Sequence, residues 1–266
     1  MERIGLIAGG GGLPVIFAKE ARRRGVRIIG FAIKELTSPS LDNVCDRVHW
    51  FNTDQIKKFF MLLLMERIKK IVMLGKVDKS IIYNGMKKGE EELNALKGTE
   101  DKKDYAILDK VTAELTKRGI KVADGIEYLS DLLLPKGILT KRYPSQSENE
   151  DILFGFETAK ALARLDIGQT IVVKDKTVIS VEAMEGTNQT IDRAAKICGN
   201  GFVVVKVSRP QQDMRWDVPV VGPETVEVIV RNKGSVLVLE EKRMFLLEKE
   251  TCKKIADKNN ISIVIA

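Results

Sequence analysis

A single histidine, His49, and three scattered cysteines, Cys45, Cys198 and Cys252, leave this 266-residue chain poor in nitrogen and sulfur ligands. Zinc sites built on several imidazoles, and the dinuclear centres of metallophosphoesterases, therefore have no source of ligands here. No C-x-x-C pair occurs, and the cysteine spacing offers no disulfide framework, which suits a reducing compartment such as the cytoplasm. Long apolar runs are missing as well. The bulkiest, FFMLLLM at Phe59–Met65, falls far short of the roughly 20 residues that span a bilayer, and reads as a buried helix. The uncharged stretch Ile4–Ala18 is broken by four glycines and Pro14. The basic ARRRG follows it where a small-residue cleavage site would stand, so a signal peptide is not expected. Aromatics make up only 6% of the chain and form no RNP-like motif, which argues against a nucleic-acid partner. G-x-S-x-G, H-E-x-x-H and G-x-x-x-x-G-K-[ST] are all absent. Oxygen-ligated metal chemistry on a phosphorylated substrate is what these absences leave open.

What is present is charge, with a basic bias. Lysine and arginine total 44 against 37 aspartates and glutamates, for a net charge of +7. Such a balance favours anionic partners, either phosphates or an acidic lipid surface, and equally describes a lysine-rich solvated shell.

The first half alternates strand-like and helix-like segments. RIGLIAG, VRIIGFAI, RVHWF, KKIVMLG and IKVA read as strands, while Leu13–Arg24, Thr53–Ile68 with a Thr53 cap, and Asp104–Arg118 read as helices. This pattern predicts βαβ units and a mostly parallel, Rossmann-like sheet over residues 1–134. Residues 135–150, with two prolines and a run of small polar and acidic residues, read as a linker. A smaller, mixed α/β domain is expected over 151–266, making two α/β domains in all. Helices are expected there at Ile152–Leu165, Gln189–Cys198 and near Glu224–Asn232.

Three loops carry candidate chemistry. Gly9–Gly12 lies between the first strand and first helix, where backbone N–H groups and a helix N-terminus can hold a phosphate. The full dinucleotide fingerprint is not met, because Pro14 or Val15 stands where its third glycine belongs, so a nicotinamide role is disfavoured. Gly10, Gly11, Gly12, Leu13 and Pro14 are candidates for substrate contact, as is Lys76 after another strand. Glu35 stands where a ribose-binding acid would be expected. In VEAMEGTNQTI, Glu182 and Glu185 are candidate metal ligands beside Gly186 and Thr187, a second turn suited to phosphate, with Lys206 at the end of a later strand. In VSRPQQDMRWDVPVVGPET, Pro210 and Pro219 disfavour helix. An extended run over Gln211–Val218 would place Gln211, Asp213, Arg215 and Asp217 on one face and Gln212, Met214, Trp216 and Val218 on the other. Paired carboxylates suit a hard cation such as Mg²⁺, and the arginines suit bidentate phosphate contacts.

These motifs, with AGGGGLP, LGKV, ILTKRYPS and LDIGQTIVV, occur in the same order in the LpxI-type UDP-2,3-diacylglucosamine pyrophosphatases, which the whole chain resembles. The resemblance implies a two-domain enzyme with its active site between the domains. Its reaction is Mg²⁺-dependent hydrolysis of UDP-2,3-diacylglucosamine to UMP and 2,3-diacylglucosamine 1-phosphate, in the cytoplasmic steps of lipid A synthesis; Mn²⁺ is an alternative cofactor. By the resemblance Asp213 is the catalytic residue, Asp217 its metal partner and Arg215 a further member of the catalytic set. Arg209, Gln211 and Gln212 then bind substrate. An anionic membrane surface is the expected partner, with peripheral attachment at the inner membrane, and a homodimer is left open. Asn188 departs from the family's usual Asp, Trp216 from its Phe, and Tyr105 from the second Asp of a pair. The rival expectation is a nucleotide- or RNA-binding module without turnover, which would bind without metal-dependent hydrolysis.

Overall fold

The structure is a computed structural model that describes residues 2–76, 105–210, 212, 213, 215 and 218–266. Asp104, Gln211, Met214, Trp216 and Asp217, singled out above, lie outside the described residues. The chain divides into two compact units: residues up to Leu129 together with Arg215 form the first, and Ser130–Asp213 with Val218–Ala266 the second. Among the described residues no helix is long and apolar enough to cross a membrane.

The first unit runs β1 (Arg3–Ala8), α1 (Leu13–Arg23), β2 (Arg27–Ile33), β3 (Arg47–Phe51), α2 (Ile56–Met65), β4 (Lys70–Leu74), α3 (Tyr105–Lys117), β5 (Lys121–Ala123) and the short α4 (Ile126–Leu129). All five strands are parallel, in the order β3-β2-β1-β4-β5. Covered by helices, the central strands need no polar face, so β1 and β2 read as almost continuous apolar runs. The order reverses between β1 and β4. The carboxyl ends of strands at such a reversal are the usual place for a ligand in these sheets.

Helix α2 is shorter than Thr53–Ile68. Thr53 and Asp54 form a turn in which the Gln55 N–H donates to the Asn52 carbonyl, and the Gln55 side chain accepts from the Asn52 N–H at 3.2 Å. That closed turn takes the place of a threonine cap. At the other end Arg67 enters the left-handed region at φ 52°, and the Ile68 N–H returns to the Leu63 carbonyl, which stops the helix.

The second unit contains β6 (Gly137–Ile138), α5 (Gln146–Arg164), β7 (Thr170–Lys174), β8 (Thr177–Val181), α6 (Thr187–Cys198), β9 (Val203–Lys206), β10 (Val220–Val221), α7 (Pro223–Arg231), β11 (Val236–Leu239), β12 (Phe245–Leu246), α8 (Lys249–Lys258) and β13 (Ser262–Ile265). Its main sheet has the order β6-β13-β11-β9-β7-β8: β13, β11 and β9 are parallel, while β6, β7 and β8 run antiparallel to their neighbours. Side chains alternate across this sheet. Val203, Val205, Val236 and Val238 pack with Ile152, Ala159 and Ala163 of α5, whereas Val204, Leu237 and Leu239 pack with residues of α6, α7 and α8. The β7–β8 hairpin turns through Asp175 and Lys176, both at positive φ, and the buried Asp151 carboxylate accepts both of their N–H groups at 3.0 and 2.6 Å.

Residues 135–150 are not a free linker. Gly137 and Ile138 pair with β13, and the Ile263 N–H donates to the buried Thr140 hydroxyl at 3.0 Å. Arg142 donates to both oxygens of Glu148, which with Ser145 forms the capping box of α5. Prolines and small polar residues serve here as an edge strand and a helix cap, a distinction that composition does not carry.

Glu66 follows α2 and is 7% exposed. Its Oε1 accepts from Arg47 at 2.7 Å and lies 2.8 Å from His49 Nε2, while Arg3 donates to its carbonyl at 2.7 Å. The lone histidine is thus part of a structural network. Burial raises the Glu66 carboxyl, but hydrogen bonds from His49 and Arg47 outweigh it and hold the group below the usual carboxylate range. A lowered folded-state pKa means stabilisation present above the unfolded value and lost as pH falls through the folded one. Glu66→Gln should therefore cost about 2 kcal/mol near neutral pH. In urea titrations the difference from wild type should shrink steadily below about pH 4.

Candidate functional site

The glycine loop of the first unit is built by close backbone contact. Gly10 and Lys76 exchange N–H···O bonds at 2.7 and 2.8 Å, and the Gly9 N–H donates to the Leu74 carbonyl. A Cβ at Gly9 would lie 2.5 Å from the Lys76 carbonyl oxygen, so no other residue fits. Lys76 joins the loop through its main chain, and its side chain is exposed. Gly11 and Gly12 are exposed at the start of α1, where helix N–H groups lack carbonyl partners. Leu13 and Pro14 turn their side chains into the core, leaving the Leu13 N–H as their contribution to a ligand. Glu35 is an exposed turn residue.

In the second unit, strand register gathers the polar groups. Thr170 of β7 and Leu239 of β11 flank Lys206 of β9. The Lys206 ammonium donates to the Thr187 hydroxyl at 2.6 Å; that hydroxyl donates to Glu182 Oε1 at 2.9 Å and lies 3.3 Å from the Thr170 hydroxyl. Gly186, at φ 81°, makes the sharp entry into α6 that places Thr187 there. The Gln169 N–H reaches Glu182 Oε2 at 3.4 Å. Glu182, Thr187 and Lys206, expected from the sequence, therefore meet. Thr170 and Gln169 join them by antiparallel pairing, which leaves no local signal in the chain.

Glu185 is engaged elsewhere. Its Oε1 accepts from Arg193 at 2.5 Å and from Thr190 at 3.3 Å, and its Oε2 from the Ala183 N–H at 3.2 Å. Its own backbone N–H and the Arg193 guanidinium hold its carboxyl below the usual range. Among the described residues no three His, Cys, Asp or Glu side chains gather as a metal cluster. Of the four carboxylates expected as metal ligands, Glu185 is turned to Arg193, and Asp217 lies outside the described residues. Asn188 donates to Glu224 Oε1 at 2.8 Å, tying the start of α6 to that of α7. An aspartate at 188 would set two carboxylates against each other, so the amide complements Glu224.

Beyond β9 the chain does not continue extended. The Gln212 N–H donates to the Arg209 carbonyl at 3.2 Å, and the Arg209 N–H to Gln212 Oε1 at 3.0 Å, closing a turn across Pro210. Proline at the second position of a turn favours this closure; the alternating faces expected over Gln211–Val218 involve Gln211, Met214, Trp216 and Asp217, which lie outside the described residues. Arg209 Nε lies 3.1 Å from Asp166 Oδ1, an ion pair whose N–H is not directed along a hydrogen bond. Asp213 and Arg215 are half-buried. Gln212 is 8% exposed, yet its Nε2, like the Oε1 of Gln169, is buried with no hydrogen-bond partner among the described residues. Buried amides are rarely left so unless something else meets them.

The Lys206 ammonium beside the N-terminus of α6, and the buried Gln212 amide on the turn after β9, are donors of a kind that can hold a phosphate on an α/β scaffold. The chain belongs to the LpxI family: the family's N-terminal domain matches residues 3–132 and its C-terminal domain residues 135–264. A curated relative, the UDP-2,3-diacylglucosamine pyrophosphatase LpxI of Caulobacter vibrioides, is 30% identical over 267 residues, covering 97% of this chain and 95% of the relative. Among solved structures, glycinamide-RNase-transformylase T of Mycobacterium tuberculosis is 12% identical over 69% of this chain and 44% of its own, with a TM-score of 0.26. Phosphoribosylglycinamide synthetase of Anaerococcus prevotii is 11% identical over 76% and 44%, also at 0.26. The chain spans less than half of either, and likeness at that level has no bearing on the site.

Thr187→Val removes the hydroxyl that links Lys206 to Glu182. Calorimetric titration with UDP should show affinity reduced about tenfold, the loss of one charge-assisted hydrogen bond. Undiminished affinity would remove Thr187 from the phosphate site.

Proposed function

We propose that this chain is a Mg²⁺-dependent hydrolase that cleaves the pyrophosphate bond of UDP-2,3-diacylglucosamine, releasing UMP and 2,3-diacylglucosamine 1-phosphate for lipid A synthesis. Family membership supports the reaction class. The observation that carries the site assignment is the Lys206–Thr187–Glu182 node, whose Lys206 ends the strand that leads into the turn of Arg209 and Gln212.

Lys206 and Arg209 neutralise phosphate oxygens, and the Thr187 hydroxyl, accepting from Lys206 and donating to Glu182, holds the Lys206 ammonium in place. Gln212 Nε2, buried with no hydrogen-bond partner among the described residues, donates to the substrate. Asp213 receives a proton from the attacking water as its oxygen bonds to the phosphorus nearer the sugar. The bridging oxygen departs with UMP as that P–O bond breaks. Asp213 and Asp217 would hold a magnesium ion together with substrate phosphate oxygens, and the ion would supply charge neutralisation on the diphosphate. Arg215 adds a further guanidinium to the loop. With a net charge of +7, the protein is suited to working from the cytoplasm against an anionic bilayer, where a diacylated substrate resides.

Incubation with UDP-2,3-diacylglucosamine and Mg²⁺ should release UMP. EDTA should abolish turnover, with Mg²⁺ or Mn²⁺ restoring it. Asp213→Ala should lower kcat about a thousandfold, or about 4 kcal/mol of barrier, with substrate still bound. In ¹⁸O-water the label should appear in the sugar phosphate. Label in UMP would place the attack on the other phosphorus, and an Asp213→Ala variant keeping a tenth of the activity or more, a loss of under about 1.4 kcal/mol, would remove Asp213 from the mechanism.

A further inference from the structure

Ser208 is the point where the chain leaves β9 for the turn that carries Arg209, Gln212 and Asp213, and it is 3% exposed. Its N–H and its hydroxyl both donate to Glu240 Oε2, at 2.7 and 2.8 Å. Lys160 of α5 donates to Glu240 Oε1 at 2.7 Å and also reaches the Ser208 carbonyl at 3.4 Å. One residue thus has its backbone donor, backbone acceptor and side chain all held by a single ion pair. The two charged side chains are 24% and 13% exposed, so water does little of this work. Burial raises the Glu240 carboxyl, but hydrogen bonds from Lys160 and Ser208 outweigh it and hold the group below the usual range.

A plainer role would be to fasten α5 to the sheet. That role does not require charge: an apolar pair of similar volume often serves as well as a buried ion pair, because desolvation offsets the attraction. Apolar residues would, however, leave the buried Ser208 N–H and hydroxyl unpaired and the exit direction from β9 undefined. What the ion pair adds is a defined path for the next residues. Arg209 follows directly, and its N–H and carbonyl both bond to Gln212, so an error in direction at Ser208 is carried through the turn to Asp213.

We infer that Lys160 and Glu240 are positioning residues of the active site, acting through Ser208 to hold the Arg209–Asp213 turn in its productive geometry. The role of that turn rests on the hydrolase reading above. Small displacements of reacting groups cost rate more than binding.

The test uses the full chain with Lys160→Met, Glu240→Gln and their double variant. For each single variant kcat should fall about 10- to 100-fold while KM stays within about threefold. The double variant should be no slower than the slower single, because the pair acts as one unit. Lys160→Arg, which can still donate to both acceptors, should regain most of the activity. A second readout is independent of turnover. The chain has two tryptophans, Trp50 and Trp216, so a Trp50→Phe background leaves Trp216 as sole reporter within the loop. Acrylamide quenching of Trp216 should rise in Lys160→Met and Glu240→Gln and return to the parent value in Lys160→Arg.

If wild type fails to hydrolyse UDP-2,3-diacylglucosamine, the hydrolase reading falls, and quenching alone decides whether the clamp orders the loop. With an active wild type, kcat within about threefold of the parent in both single variants, or quenching unchanged in both, overturns the inference. Should either charge variant fail to fold, Ser208→Ala decides in its place. It keeps both ionic partners and the N–H bond, and it must show the same kcat loss and raised quenching in smaller measure.

Discussion

The hydrogen-bond register of β9 with its two neighbours is the constraint on which the second unit's chemistry depends. Thr170, Lys206 and Leu239 lie side by side across three strands. That alignment puts Lys206 against the Thr187 hydroxyl, and it brings Glu240, one residue beyond Leu239, against Ser208, two beyond Lys206. A one-residue slip of β9 would send Lys206 into a valine layer and Val205 out of it, because side chains alternate faces. Val203, Val204 and Val205 are fully buried, so the cost of such a slip falls on the core, and the polar site inherits the precision of apolar packing.

The first unit reaches a comparable result by other means. Its site is made of backbone, placed by strand order: β1 and β4 are neighbours, and their loops bond to each other through Gly10 and Lys76. A site of N–H groups has no side chains to lose, and it selects for charge and shape at a helix end. Side-chain donors in one unit and main-chain donors in the other are two different ways of presenting positive charge. They differ in how each responds to substitution: Gly9 tolerates nothing larger, whereas at Thr187 and Lys206 the interaction lies in the side chain itself.

Several carboxylates that look catalytic by type are structural by placement. Glu66 binds Arg47 and His49, Asp151 grips the β7–β8 turn, Glu148 caps α5 and Glu185 binds Arg193. Each is lowered or satisfied by neighbours that sequence distance conceals, as with Asp151 and the turn residues 24 and 25 positions away. Of these only Glu185 was a candidate by sequence, and its Arg193 partner, eight residues on, accounts for it.

Local periodicity determined most of the elements. Alternation of apolar strands with capped helices is a nearest-neighbour property, so the parallel first sheet and the glycine turn at its centre were legible, as was the phosphate-suited turn at Gly186 and Thr187. Where a short-range cue served two ends, tertiary structure decided. Prolines and polar residues at 135–150 became an edge strand and a capping box because β13 offered a free edge. Immediately after Ser208 the chain turns across Pro210, because Gln212 closes on Arg209. Gln169, Thr170, Lys160 and Glu240 were silent in the sequence, since their roles exist only across strands and from helix to sheet. Composition and period travel along the chain, while ion pairs and register run across it, and the function rests on both.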